Sequence, residues 1–156
     1  MTERQQKGRQ LFLEGYTCSQ AVVLSFSDVT GLDPVTAGKL SSVFGGGMGG
    51  LRSVCGAVTG MFMVAGLLYG FPTPCDNEAK TLAYRRIRHL AEEFEIKHQT
   101  LICKELLAGL SEKLSADPSK RDNEYYKVRP CALLVEDAVG VLEQYLQENS
   151  VNDHDC

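Results

Sequence analysis

The chain has 156 residues, 44% of them hydrophobic and 23% charged, with a formal net charge of −4. That is enough chain to bury one core, and a single globular domain is the expectation. The acidic balance argues against a general nucleic-acid binder, whose affinity would come from clustered Lys and Arg.

The N-terminal stretch MTERQQKGRQLFLEG has a helical pattern, which predicts a helix over Thr2–Glu14 stopped by Gly15. It lacks the apolar segment of a secretory signal, so the expected location is the cytoplasm, where thiols stay reduced. Thr17 can cap a second helix carrying Ala21, Val22, Leu24 and Phe26. Asp33 followed by Pro34 is an N-cap with proline at the first helical position, opening a third helix that ends before Gly45.

Residues 45–50 form a glycine loop. Ser53 is then expected to cap a central helix ending near Gly70. Residues 53–75 carry no charge, which permits a membrane span by length alone. Gly56, Gly60, Gly66 and Gly70 dilute the stretch, and a fully buried central helix explains it better. Gly56 and Gly60, four apart, let another helix backbone come close.

Beyond the Phe71–Pro74 break, Thr73 or Asp76 caps a long charged helix reaching about Lys97. Its basic group Arg85, Arg86, Arg88 and His89 reads as a solvated face rather than a binding patch. Thr100 is expected to cap a short helix through Leu107. Asp117-Pro118 marks a turn, and a short helix is placed near 119–128. Pro130 opens a last helix with Ala132, Val135, Val139, Leu142 and Leu146 as its apolar stripe. No strand is predicted. The expected fold is an all-α, single-domain helical bundle over 1–148 with a buried central Gly-rich helix, and 149–156 is read as a flexible tail.

Against these helix starts the cysteines fall into a pattern. Cys18, Cys55, Cys75, Cys103 and Cys131 each lie in a predicted first turn; only Cys156 does not. A helix N-terminus offers unpaired N–H groups and partial positive charge, which favour thiolate and lower a thiol pKa from about 8.5. Thiolates are nucleophiles and metal ligands, although a free cysteine also serves as a small buried hydrophobe. No Cys-x-x-Cys occurs, so thioredoxin-type and zinc-ribbon spacings are lacking. The glycine loop has no lysine and no preceding strand, so it is not a phosphate loop. An anion held beside Arg52 is one reading of it. A steric one is preferred, in which bare backbone passes close to a bulky group and Gly56 leaves open space beside Cys55.

GYTCSQAV at 15–22, FGGGMGG at 44–50, CGAVTG at 55–60, Cys103 and RPC at 129–131 together resemble the bacterial and archaeal putative redox-active proteins called the C_GCAxxG_C_C family. The resemblance covers residues 5–146 and implies four characteristic cysteines, here Cys18, Cys55, Cys103 and Cys131, with an iron–sulfur cluster or other prosthetic group suspected. Cys75 and Cys156 fall outside its pattern.

The first functional reading is a redox protein with a partner protein. In it Cys18, Cys55, Cys103 and Cys131 converge to hold an iron–sulfur cluster or zinc, with Gly56 and Gly60 beside the group, or two of the cysteines cycle between dithiol and disulfide. The alternative is a non-catalytic helical interaction module, a homodimer, with packing cysteines. A hydrolase is weakly supported: His89 and His98 read as solvated, and His154 lies in the tail.

Overall fold

The structure is a computed structural model describing residues 1–74 and 76–151, with the backbone alone at 111–113. Its helices in chain order are α1 (Glu3–Leu13), α2 (Cys18–Ser25), α3 (Ser27–Thr30), α4 (Pro34–Ser42), α5 (Gly45–Met48), α6 (Gly56–Tyr69), α7 (Asn77–His98), α8 (Cys103–Leu106), α9 (Asn123–Val128) and α10 (Cys131–Glu148), with a 3-10 turn at Ala108–Lys113 before α9. Cys75, His154 and Cys156 lie outside the described residues, as does most of the expected tail.

Side-chain caps account for most helix starts. Thr2 with Gln5 and Thr17 with Gln20 form reciprocal capping boxes at α1 and α2. Asp33 caps α4 ahead of Pro34, Asp76 caps α7 and Asp122 caps α9. Two expected caps fail. Cys55, not Ser53, is the cap residue of α6, and Ile102, not Thr100, that of α8. In both cases backbone pairing between the two segments has taken over the chain before the helix starts. Asp76 rather than Thr73 opens α7. The helix expected near 119–128 begins only at Asn123.

The central helix α6 packs against α2, α7 and α10, while α1 lies across α2 and α10. Its residues Ala57, Val58, Met61 and Val64 are completely buried. Fourteen residues rising ~1.5 Å each give about 21 Å, short of a bilayer core of about 30 Å. Among the described residues no helix is long and apolar enough to cross a membrane. The fold is all-α, as the sequence predicts. An isolated antiparallel bridge between Val54 and Ile102 is the one β-type pairing among the described residues.

The α2–α6 crossing depends on Gly60. A Cβ there would sit 2.8 Å from the Ser19 carbonyl oxygen and 3.0 Å from Val22 Cβ, and the first of these is backbone that cannot turn aside. Gly66, exposed on the same helix, has nothing within 4 Å of its Cβ position. Gly60→Ala is therefore expected to destabilise the fold by about 1–3 kcal/mol. Gly66→Ala is expected to stabilise it by about 0.5–1 kcal/mol. Thermal unfolding of the pair checks both; a neutral Gly60→Ala would contradict the crossing.

Candidate functional site

Four cysteines reach one cavity from four different helix starts. Cys18, Cys103 and Cys131 are the first residues of α2, α8 and α10, and Cys55 is the residue before α6. Thr17 and its capping box set the entry of α2, so Cys18 follows a fixed turn. Pro130 does the same for Cys131 by restricting the backbone just before α10.

Cys55 and Cys103 are located together by backbone pairing. The Cys55 N–H donates to the Leu101 carbonyl at 2.8 Å, the Cys103 N–H to the Ser53 carbonyl at 2.7 Å, and the Lys104 N–H to the Arg52 carbonyl at 3.1 Å. With Val54 opposite Ile102, alternation along the two short strands puts both cysteines on the same face. The glycine loop closes over that face. Arg52 and Ser53 N–H groups donate to the Gly46 and Gly47 carbonyls. Gly47 has φ +66°, and a Cβ on it would lie 2.6 Å from Cys103 Cβ. The loop thus brings bare backbone against a cysteine, as its steric reading supposes. Gly56 does not leave open space: Cys18 Cβ would stand 3.2 Å, and the Phe44 carbonyl oxygen 3.0 Å, from a Cβ there. It makes room for Cys18 itself. Gly60 is not on the cavity wall.

The cavity holds about 320 Å³, and Cys18, Cys55, Cys103 and Cys131 all line it. Cys18 is half-buried; the other three are 3–7% exposed, and all four are free thiols. Arg52, Arg121, Arg129 and Tyr125 share the wall, and residues 116–119 cover one side. His89 and His98 are not part of it. His89 is exposed as expected, but His98 is not solvated: it bonds Asp137 at 3.0 Å and packs on the Phe94 ring.

Burial and charge sort the four thiols, and the uniform lowering expected from helix starts does not occur. Burial pushes Cys55 up to about 12, although the Ala57 and Val58 N–H groups pull the other way. Burial also raises Cys103, opposed by Arg52, whose Nη1 lies 3.9 Å from its sulfur. Cys18 and Cys131 act on each other. Interaction with the Cys18 thiol holds Cys131 below the ordinary thiol range, with help from Arg129, Arg121 and Arg52. The same interaction, then burial and the charge on Cys131, hold Cys18 well above that range. Cys131 is the acidic thiol and Cys18 its proton-bearing neighbour.

The arginines are the part that sequence reading missed, apart from Arg52. Arg129 adjoins Cys131 in the RPC motif, which is a signal of sorts; nothing near Arg121 points to a site. Arg121 donates to the Tyr16 carbonyl at 2.8 Å and to that of Phe12 at 3.2 Å. Its guanidinium lies over the Phe12 ring, and Arg129 lies over Tyr125.

The sequence matches, over residues 16–145, the family described as "Putative redox-active protein (C_GCAxxG_C_C)", and the chain belongs to that family. The description supports a redox role. Comparison with curated proteins finds no match, and neither does comparison with solved structures.

The thiol order gives a direct expectation. Because its folded pKa is depressed, Cys131 keeps its thiolate as pH falls below about 8.5, where an ordinary thiol is already protonated. In reduced protein at pH 7, pulsed iodoacetamide labelling read by mass spectrometry is expected to modify Cys131 ahead of Cys18, Cys103 and Cys55. Cys55 is expected to react last, since its thiolate forms only as pH rises toward 12. Faster labelling of Cys55 than of Cys131 would reverse this order.

Proposed function

We propose that the protein is a thiol redox protein in which Cys131 is the attacking thiolate and Cys18 the resolving thiol. The observation that carries this reading is that Cys18 and Cys131 line one cavity together with Arg52, Arg121 and Arg129, where each thiol shifts the other's ionisation. A nucleophilic thiolate with a neighbouring thiol is the arrangement that thiol–disulfide exchange requires. The substrate is a disulfide on a partner.

The Cys131 thiolate attacks one sulfur of that disulfide. A mixed disulfide forms and the partner's first sulfur leaves as thiolate. Cys131 then carries no charge, so its hold on the Cys18 proton is relaxed, while burial still favours the thiol. Cys18 gives its proton to the departed partner thiolate and attacks the Cys131 sulfur. The Cys18–Cys131 disulfide forms and the partner's second sulfur leaves as thiolate. Two electrons have passed to the partner, which is reduced to a dithiol.

A second reading rests on a separate observation: all four cysteines line one cavity of about 320 Å³. Four soft thiol donors suit an iron–sulfur cluster, and Cys18, Cys55, Cys103 and Cys131 are the residues that would hold it. A bound cluster would supply one-electron transfer. Among the described residues no group of three or more His, Cys, Asp or Glu is arranged to hold a metal ion.

Thiol counting separates the two. Treating anaerobically purified protein with oxidised glutathione is expected to lower the titratable thiols from six to four. Peptide mapping should show a Cys18–Cys131 disulfide, and Cys18→Ser and Cys131→Ser should each prevent it. Brown protein containing iron and acid-labile sulfide, with fewer titratable thiols at the outset, would move the assignment to the cluster.

A further inference from the structure

The cavity carries positive charge that the chain does not balance with carboxylates. Arg52, Arg121 and Arg129 line it, against a single acidic lining residue, Asp117. Every ion pair among the described residues lies elsewhere, on Arg4, Arg9, Lys97 and His98. A protein with net charge −4 has left three guanidiniums at one cavity without a carboxylate partner among the described side chains.

Their hydrogen-bonding capacity is also incompletely used. A guanidinium has five N–H donors. Arg129 donates one bond, to Ser119 Oγ at 3.3 Å. Arg52 donates to the Cys103 sulfur and to the Ser115 carbonyl, while its Nε is fully buried with no acceptor. A buried donor left without a partner is destabilising. The groups are nonetheless held in place: Tyr125 lies under Arg129 and beside Arg121, with guanidinium carbons 4.5 and 5.4 Å from its ring centre. Fixed, planar, unpaired guanidiniums are a receptor for oxygen anions, which can accept two parallel N–H bonds from each fork.

We infer that the cavity binds a small oxyanion through Arg52, Arg121 and Arg129, next to the Cys131 sulfur. A volume of about 320 Å³ is at the small end of ligand sites and suits an inorganic oxyanion or a short carboxylate. Placed beside Cys131, the site would hold an anionic group carried by the disulfide substrate proposed above, and it rests on that reading for its role. The binding itself needs only the arginines.

Calorimetric titration of the reduced full chain, without oxygen, tests it with sodium sulfate, sodium phosphate and sodium acetate in turn. One saturable site per chain is expected for at least one of them, and the inorganic and carboxylate arms tell the two sources apart. Arg129→Gln and Arg52→Gln are expected to weaken binding at least tenfold, with Arg85→Gln on the exposed face of α7 as the unaffected control. A readout without variants accompanies this: the bound anion should slow phenylglyoxal modification of Arg129 and Arg52 at least fivefold. Absence of saturable binding by all three anions overturns the proposal, and so does an anion that leaves those two modification rates unchanged. Cys131→Ser, which cannot form the disulfide and removes a thiolate facing the same arginines, is expected to bind the anion at least as tightly. A disulfide without anion binding would sink this proposal alone; anion binding without a disulfide would sink the thiol reading alone.

Discussion

The site depends on two residues of β-structure in an otherwise helical chain. Pairing of Val54 with Ile102 ties the segment before α6 to the segment before α8, 48 positions apart in sequence. Three backbone hydrogen bonds around it fix Cys55 and Cys103 on one face. Helix packing alone would not do this, because neither α6 nor α8 has a side-chain cap to fix its first turn. The pairing also decides which backbone can lie above the two thiols. At Gly47 any side chain would strike Cys103, and at Gly56 it would strike the Phe44 carbonyl and Cys18. Residues 45–56 are thus glycine-rich because four elements meet there at backbone distance.

Around that frame, the thiols differ because burial and charge compete differently at each. Helix N-termini favour thiolate, but desolvation outweighs this at Cys55 and Cys103, which are nearly closed off from solvent. Cys131 is just as buried, yet it interacts with the Cys18 thiol and with three arginines. The deciding factor is the set of specific partners that burial leaves in place. A thiolate at Cys131 in turn suppresses ionisation of Cys18.

Much of this was legible in the sequence and some of it was not. Local signals read well: Thr17, Asp33 and Asp76 cap the helices they were expected to cap, and the uncharged stretch forms the buried central helix. The coincidence of cysteines with helix starts was also visible, and the four of the family pattern do line one cavity. The failures share a cause. Ser53 and Thr100 look like caps, but both lie in the segments engaged by the Val54–Ile102 pairing, which local sequence does not reveal. His98 looked solvated because its partner Asp137 is 39 positions away. Arg121 reaches the site only because its loop folds back onto α1, where it bonds the Phe12 and Tyr16 carbonyls. Contacts set by distant segments leave no periodicity to read.

The arginines connect the chemistry to the covering loop. Arg52 donates with one nitrogen toward the Cys103 sulfur and with the other to the Ser115 carbonyl. Arg129 holds Ser119, and Arg121 ties the far end of the same loop to α1. Arg52 and Arg129, which line the cavity, thus also bond the segment that runs beside it. Ser115, Ala116, Asp117 and Pro118 are exposed, but the Ala116 backbone packs against Gly50. The same three arginines therefore line the thiol cavity and tie down the chain around it, which links charge and local structure at this site.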